Sequence, residues 1–267
     1  MTVLCFNAQS LCNKLHEFQD LLSGISGNCY DVICVTETWF TDQLLDQTII
    51  SNHLYNVYRC DRKDRKGGGC AIFVNNKFKV RQITFPQIIS LLDVQAVCVE
   101  IHINSQTYAI CCIYNPRGDV KQYLLEIIEI FKFTCNTYSS AILLRDFNLK
   151  NFAENLFGNM EARYSQFANV VSQYGLEQLV TKPTRHNNIL DLVFCSSYLS
   201  YSDVKVFAPF SNADHNNLTF TLFIDKLAAV NDVNVHWVYH KCDFMNFNNY
   251  LSSLNWYAMF ECCKNVN

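Results

Sequence analysis

Short apolar runs alternate along the chain with segments whose apolar residues recur at helical spacing. Val3–Phe6 reads as a strand, and Leu15, Phe18, Leu21 and Leu22 then fall on one helical face. Val32–Val35 predicts a buried strand that ends at the polar Thr36-Glu37-Thr38. Val57–Arg59 and Cys70–Val74 flank a charged, glycine-rich stretch from Asp61 to Gly69, a hairpin pattern whose turn calls for positive φ angles. Val97, Val99, Ile101 and Ile103 alternate at period two, and Tyr108–Tyr114 answers them across Asn104-Ser105-Gln106 as a second antiparallel pair.

The second half repeats the alternation. Leu124, Ile127, Ile128 and Phe131 predict a helix, Ala141–Leu144 a buried strand, and Phe167, Val170, Val171 and Tyr174 another helix. Strands follow at Ile189–Phe194, Val204–Phe207 and Leu218–Ile224. Hairpins mixed with strand–helix units predict an α/β fold, a two-sheet β-sandwich flanked by helices, over residues 1–225. Residues 226–267 read differently: Phe244, Phe247, Leu251 and Leu254 share one helical face in an Asn-rich setting, a helical extension.

Composition refines this picture in three places. With 267 residues and 50% hydrophobic content the chain can bury one large core, and its low charge excludes intrinsic disorder. The net charge of −3 lends no support to nucleic-acid binding, which would have to rest on a local cluster such as Arg59, Arg62, Lys63, Arg65 and Lys66 or on a bridging metal. Fourteen cysteines sit largely inside apolar runs, with no CxxC pair, no zinc spacing and no secretory signal. Reduced thiols without a structural disulfide are therefore expected, in an intracellular protein of the nucleus or cytoplasm that has no membrane span.

The candidate chemistry is positional. Asn7 follows the first strand, Glu37 the second, Tyr114 ends another, Asp146 and Asn148 follow a fourth, and Asp214-His215 precedes the last. Ligands gather at strand ends in layered α/β folds, although each such residue taken singly also suits an ordinary turn or cap. A carboxylate beside an amide, Glu37 with Asn7, offers the oxygen ligands that suit Mg²⁺. Asp146 and Asn148 are two apart and project to the same side of an extended segment.

Together these residues resemble the endonuclease/exonuclease/phosphatase superfamily, which includes deoxyribonuclease I and the AP endonucleases. Finer features resemble the endonuclease domain of non-LTR (LINE-type) retrotransposons: Asn7-Ala8-Gln9-Ser10-Leu11, Glu37-Thr38-Trp39, Arg59-Cys60-Asp61-Arg62 before Gly67-Gly68-Gly69, Tyr114-Asn115-Pro116, Asp146-Phe147-Asn148, Pro183-Thr184-Arg185, Leu190-Asp191-Leu192-Val193 and Asp214-His215. The resemblance implies a deoxyribonuclease I-like fold and a Mg²⁺-dependent DNA endonuclease, with Mn²⁺ as a substitute ion. Its implied roles are Glu37, Asn7 and Asp214 toward the metal, Asp146 on the attacking water, and Asn148 and Tyr114 on the phosphate. It further implies His215 at the scissile phosphate, oriented by Asp191, with Thr184, Arg59 and Arg62 toward DNA. The tail looks like the segment that leads to a reverse transcriptase, the partner in the intact family polyprotein.

Two positions depart from the family pattern. Arg145 stands where the family has the glycine of Gly-Asp-Phe-Asn, and Ala213 where it has the serine of Ser-Asp-His. Arginine adds bulk at the floor of the site and disfavours the backbone angles glycine allows. A weakened enzyme, or a truncated copy of a mobile element, is expected. The alternatives are an inactive remnant that acts as a binding module, and a phosphatase or phosphodiesterase of the same superfamily.

Overall fold

The structure, a computed structural model, describes residues 1–24, 29–50, 54–63, 65–86, 89, 91, 93–118, 120–156, 158, 160–224 and 243–256. The chain divides into two compact units, Met1–Asp232 and Val233–Asn267. The expected boundary after residue 225 lies outside the described residues.

The first unit contains twelve strands among its described residues: β1 (Thr2–Asn7), β2 (Val32–Thr36), β3 (Tyr55–Cys60), β4 (Cys70–Asn75), β5 (Lys79–Ile83), β6 (Gln95–Ile103), β7 (Gln106–Tyr114), β8 (Ser140–Asp146), β9 (Leu176–Gln178), β10 (Asp191–Ser196), β11 (Lys205–Phe207) and β12 (Asn217–Thr221). They form two six-stranded mixed sheets, in the orders β11-β12-β1-β2-β4-β3 and β5-β6-β7-β8-β10-β9. The α/β sandwich read from the sequence is therefore the observed fold.

Its core lies between the sheets. β2 and β8 are buried along their whole length, and the apolar residues of β6, β7 and β10 close the layer. The helix Lys121–Thr137 lays Leu124, Ile127, Ile128 and Phe131 against the second sheet, where Phe131 meets Phe147 and Phe194 at ring centroid distances of 5.9 and 5.3 Å. The helix Leu15–Leu22 covers the first sheet with Phe18, which packs on Phe73. In the second unit the helix Phe244–Ser253 is capped by Asp243, whose carboxylate accepts from the Asn246 N–H.

Two strands carried no apolar signal. β5 is an edge strand that alternates Lys79 and Arg81 with little burial, and β9 is three residues long. The expectation of wholly reduced cysteines is corrected at one pair: Cys98 and Cys111, directly opposite each other on β6 and β7, are joined as a disulfide. A period-two pattern shows which residues share a face, but not which cysteines the hairpin register sets opposite each other.

Candidate active site

Strand register builds the site. On the second sheet Tyr114, Asp146 and Asp191 stand side by side, because Tyr114 pairs with Asp146 and Asp146 with Asp191. On the first sheet Asn7 pairs with Thr36, directly before Glu37. His215 comes two residues before β12, the antiparallel neighbour of β1. The site thus forms where the same ends of the two sheets meet.

Asn7 joins them. Its amide Nδ2 donates to Glu37 Oε1 at 3.0 Å and to Asp146 Oδ2 at 2.9 Å, and its Oδ1 accepts from the Gln9 N–H. The Tyr114 hydroxyl donates to Glu37 Oε1 at 3.3 Å. Two carboxylates from different sheets therefore converge on one donor, a point from which a hard cation would also reach both. Glu37 holds this place with a φ of 53°, so its carboxylate leaves a backbone that has turned out of the strand.

The second half of the site is a dyad. His215 Nδ1 lies 2.8 Å from Asp191 Oδ2, which leaves Nε2 3.9 Å from Asp146 Oδ2 and 4.0 Å from Asp214 Oδ1. Asp146, Asp191 and His215 bring ligating atoms within 4.8 Å of one another, all three buried. Asp191, however, is already shared between His215 and the guanidinium of Arg145, 3.3 Å from its Oδ1. A cation there would face a buried positive charge. The half-buried Glu37 side of the cleft, where Glu37 and Asp146 share the Asn7 amide, fits a cation better.

Electrostatics separate the roles of the buried groups. Burial, and then the charge of Asp191, raises the Asp146 pKa above the usual carboxylate range, against the pull of His215 and Arg145. For Asp191 burial acts in the same sense, but Arg145 and His215 outweigh it and hold the carboxyl below its ordinary value. Burial opposes the charged form of His215, yet Asp191 wins and raises its pKa. Burial, followed by the charge of Glu37, lifts the Tyr114 pKa and keeps its hydroxyl a donor.

Arg145 is the position where sequence and structure speak most directly to each other. Its φ is 115°, in the region that favours glycine, and its side chain is fully buried. The turn interrupts the strand alternation, so the consecutive residues Arg145 and Asp146 both reach the first sheet, one through Nε to Thr36 Oγ1 at 3.3 Å and the other to Asn7. The guanidinium enters the layer between the sheets and becomes a counter-charge for Asp191.

The remaining predicted residues take different places. Asn148, with φ of 53°, donates to the Asn115 carbonyl at 2.9 Å, just beyond the end of β8. Asp214 is half-buried and pairs with Arg185 at 2.6 Å. Thr184 is fully buried, and its Oγ1 accepts from the N–H groups of Leu190 and Asp191, so it fixes the dyad's strand from behind. Arg59 ties down the 41–46 segment through the carbonyls of Thr41 and Leu44 and the carboxylates of Asp46 and Asp61. Arg62 does border the cleft, over the Tyr114 ring at 5.8 Å. Gly68 permits this, since a Cβ there would lie 2.5 Å from the Arg62 guanidinium carbon.

Three residues that sequence reading left without a role support the site. Thr36 accepts from Arg145. Asn115 donates to the carbonyls of Gly118 and Phe147, bracing the loop after Asp146. Buried Lys14 donates to the Ala8 carbonyl at 2.6 Å, and its pKa is lowered by burial against the raising charges of Glu17, Asp214 and Glu37. A lysine in an apolar amphipathic segment is the only trace of this in the sequence.

Residues 108–219 match the family described as endonuclease-reverse transcriptase. No curated protein matches the chain. Among solved structures it is similar to the endonuclease domain of TRAS1, a telomere-specific non-LTR retrotransposon, at 19% identity and a TM-score of 0.61, covering 84% of this chain and 99% of that one. The 3′ phosphatase NExo from Neisseria, solved with a product DNA hairpin, aligns at 13% identity and a TM-score of 0.65 over 84% of this chain and 100% of its own. An AP endonuclease from Archaeoglobus fulgidus aligns at 14% identity and 0.62, covering 84% and 100%. Two six-stranded sheets with a carboxylate–amide cluster at their shared end thus give the chain the fold of these nucleases, and its residues 108–219 carry the match to the endonuclease-reverse transcriptase family.

Proposed function

We propose that the protein is a Mg²⁺-dependent DNA endonuclease that nicks one strand, leaving a 3′-hydroxyl of the kind that primes reverse transcription. The observation that carries this reading is the convergence of Glu37 and Asp146 on Asn7 beside the Asp191–His215 dyad. Glu37 and Asn7 would hold the cation, with Asp214 on the same side, and the ion would supply neutralising charge at the phosphate oxygens.

The chain's own groups do the rest. Asp146, whose raised pKa makes it a competent proton acceptor, orients the attacking water and takes its proton. Asp191 fixes His215 by its Nδ1–H, so that Nε2–H of the charged ring donates to a non-bridging phosphate oxygen. Tyr114 and Asn148 donate to the same phosphate, and the bond to the 3′ oxygen breaks as that oxygen takes a proton from solvent. The helical tail fits a connection toward a polymerase.

Supercoiled plasmid tests the reading. Conversion to the open circle should require Mg²⁺ or Mn²⁺, stop with a chelator, and fall by orders of magnitude in His215→Ala and Glu37→Gln. Absence of nicking by the wild-type chain would leave the second reading, a remnant that binds DNA without cutting. One observation favours that reading: Arg145 competes with His215 for the charge of Asp191.

A further inference from the structure

Beside the catalytic row lies a hollow of about 280 Å³ lined by Trp39, Arg62, Lys63, Arg65, Lys66 and Gly67, among others. We infer that it receives an unpaired nucleotide of the DNA strand next to the cleavage point, its base on the Trp39 indole and its phosphate among the basic side chains. This rests on the DNA-cutting reading and adds a substrate preference to it, for a frayed or single-stranded end over an intact duplex.

Position comes first. Trp39 is two residues beyond Glu37, and Arg62 spans from the Tyr114 ring to Gln95 Oε1 at 3.0 Å, so the hollow adjoins the cleft directly. Its walls are held in place. Trp39 has a φ of 56°, and its N–H donates to the Gly68 carbonyl at 2.9 Å, which locks it to the run Gly67-Gly68-Gly69, all at positive φ. Gly69 cannot be replaced cheaply, since a Cβ there would lie 2.6 Å from Thr38 Oγ1.

Size and charge then select the ligand. The volume falls just below the roughly 300 Å³ at which small-ligand pockets begin, enough for one planar group and too little for a segment of duplex. Four cations fall within Arg62–Lys66 in a chain of net charge −3, so the basic character is concentrated here. Arg65 is braced by Asp93 at 2.8 Å. Lys66 is exposed, with Nζ 5.6 Å from the centre of the Trp39 ring. A base can take that place on the indole while the flexible lysine swings to a phosphate. A paired base keeps its faces in the helical stack; only an unpaired one offers a face to an aromatic ring.

Binding tests this without cutting. His215→Ala protein is titrated against two labelled hairpins of equal phosphate number, one blunt and one with a single-stranded overhang. The overhang form should bind about tenfold tighter, a step of about 1.4 kcal/mol that lies within the stacking contribution of one base. Adding Trp39→Ala should erase the preference, and Trp39→Phe should keep most of it. Should Trp39→Ala fail to fold, the exposed pair Lys63→Glu and Lys66→Glu serves instead, and should lower overhang binding more than blunt binding. Equal affinity for the two hairpins, or a preference that survives the hollow's variants, would overturn the inference. Plasmid nicking by the wild-type chain judges the endonuclease reading separately, so the two failures are told apart.

Discussion

Arg145 and Asp191, on the neighbouring strands β8 and β10, hold opposite charges 3.3 Å apart with neither side chain exposed to solvent. The other Asp191 oxygen belongs to His215. Removing one partner of a buried pair costs about 3–5 kcal/mol, while a non-glycine residue in a strained backbone region stores about 1–3. Arg145→Ala should therefore lose about 3–5 kcal/mol in urea unfolding, and Arg145→Gly should recover about 1 kcal/mol of that by relaxing the backbone. A glycine variant no more stable than the alanine one would show that the φ of 115° carries no strain.

Removing the groups that hold the two halves of the site should affect rate more than fold. His215→Ala and Asp146→Asn are expected to lower nicking by about 10²–10⁴-fold, the usual range for a positioned acid or base. Asn7→Ala should weaken the response to Mg²⁺ as well, because Asn7 aligns Glu37 with Asp146. A metal titration of the nicking rate separates these effects: Asn7→Ala shifts the Mg²⁺ midpoint, and His215→Ala leaves it in place.

The charge state of the dyad sets a pH signature. His215 has a raised pKa, so its contribution to stability is complete below the ordinary histidine value of about 6.5 and is lost as pH rises through the folded value. Asp191 is depressed, so its contribution is complete above about 3.9 and is lost as pH falls through its own folded value. The Tm difference between wild type and His215→Ala should be largest between about pH 4 and 6.5 and shrink at alkaline pH. Asp146 must be ionised to accept a proton, so the acid limb of the nicking rate should lie above about pH 3.9, at the raised value of this group. A difference in Tm that grows with pH would contradict the assignment.

Thiol accessibility offers a direct check on the sandwich. Cys5, Cys34, Cys70, Cys112 and Cys195 are buried, whereas Cys12 and Cys29 are exposed. Under native conditions a thiol reagent should label Cys12 and Cys29 first and reach the buried five only on unfolding. Peptide mapping without reductant should recover the Cys98–Cys111 link.

The sequence reading succeeded where burial and periodicity coincide. β2 and β8 announce themselves because every residue is buried, and the polar groups just past their ends, Glu37 and Asp146, stand out against that background. It failed where function depends on a partner far along the chain. Nothing near Arg59 shows that its guanidinium closes on Thr41 and Leu44, and nothing near Thr184 shows that its hydroxyl faces the Asp191 backbone. Arg145 is the intermediate case: the missing glycine was legible, while the burial of the side chain between the sheets depended on the opposite layer, on Thr36.

The bridge from Asn7 to Asp146 makes the site indivisible along the chain. Asn7 and Glu37 come from the first forty residues, and Tyr114, Asp146 and Asp191 from the opposite sheet, so neither portion holds the site alone. A fragment that kept only residues 108–219 would preserve four strands in full and would lack Asn7 and Glu37. A chain that lacked its opening strand would lose Asn7, and with it the joint between Glu37 and Asp146.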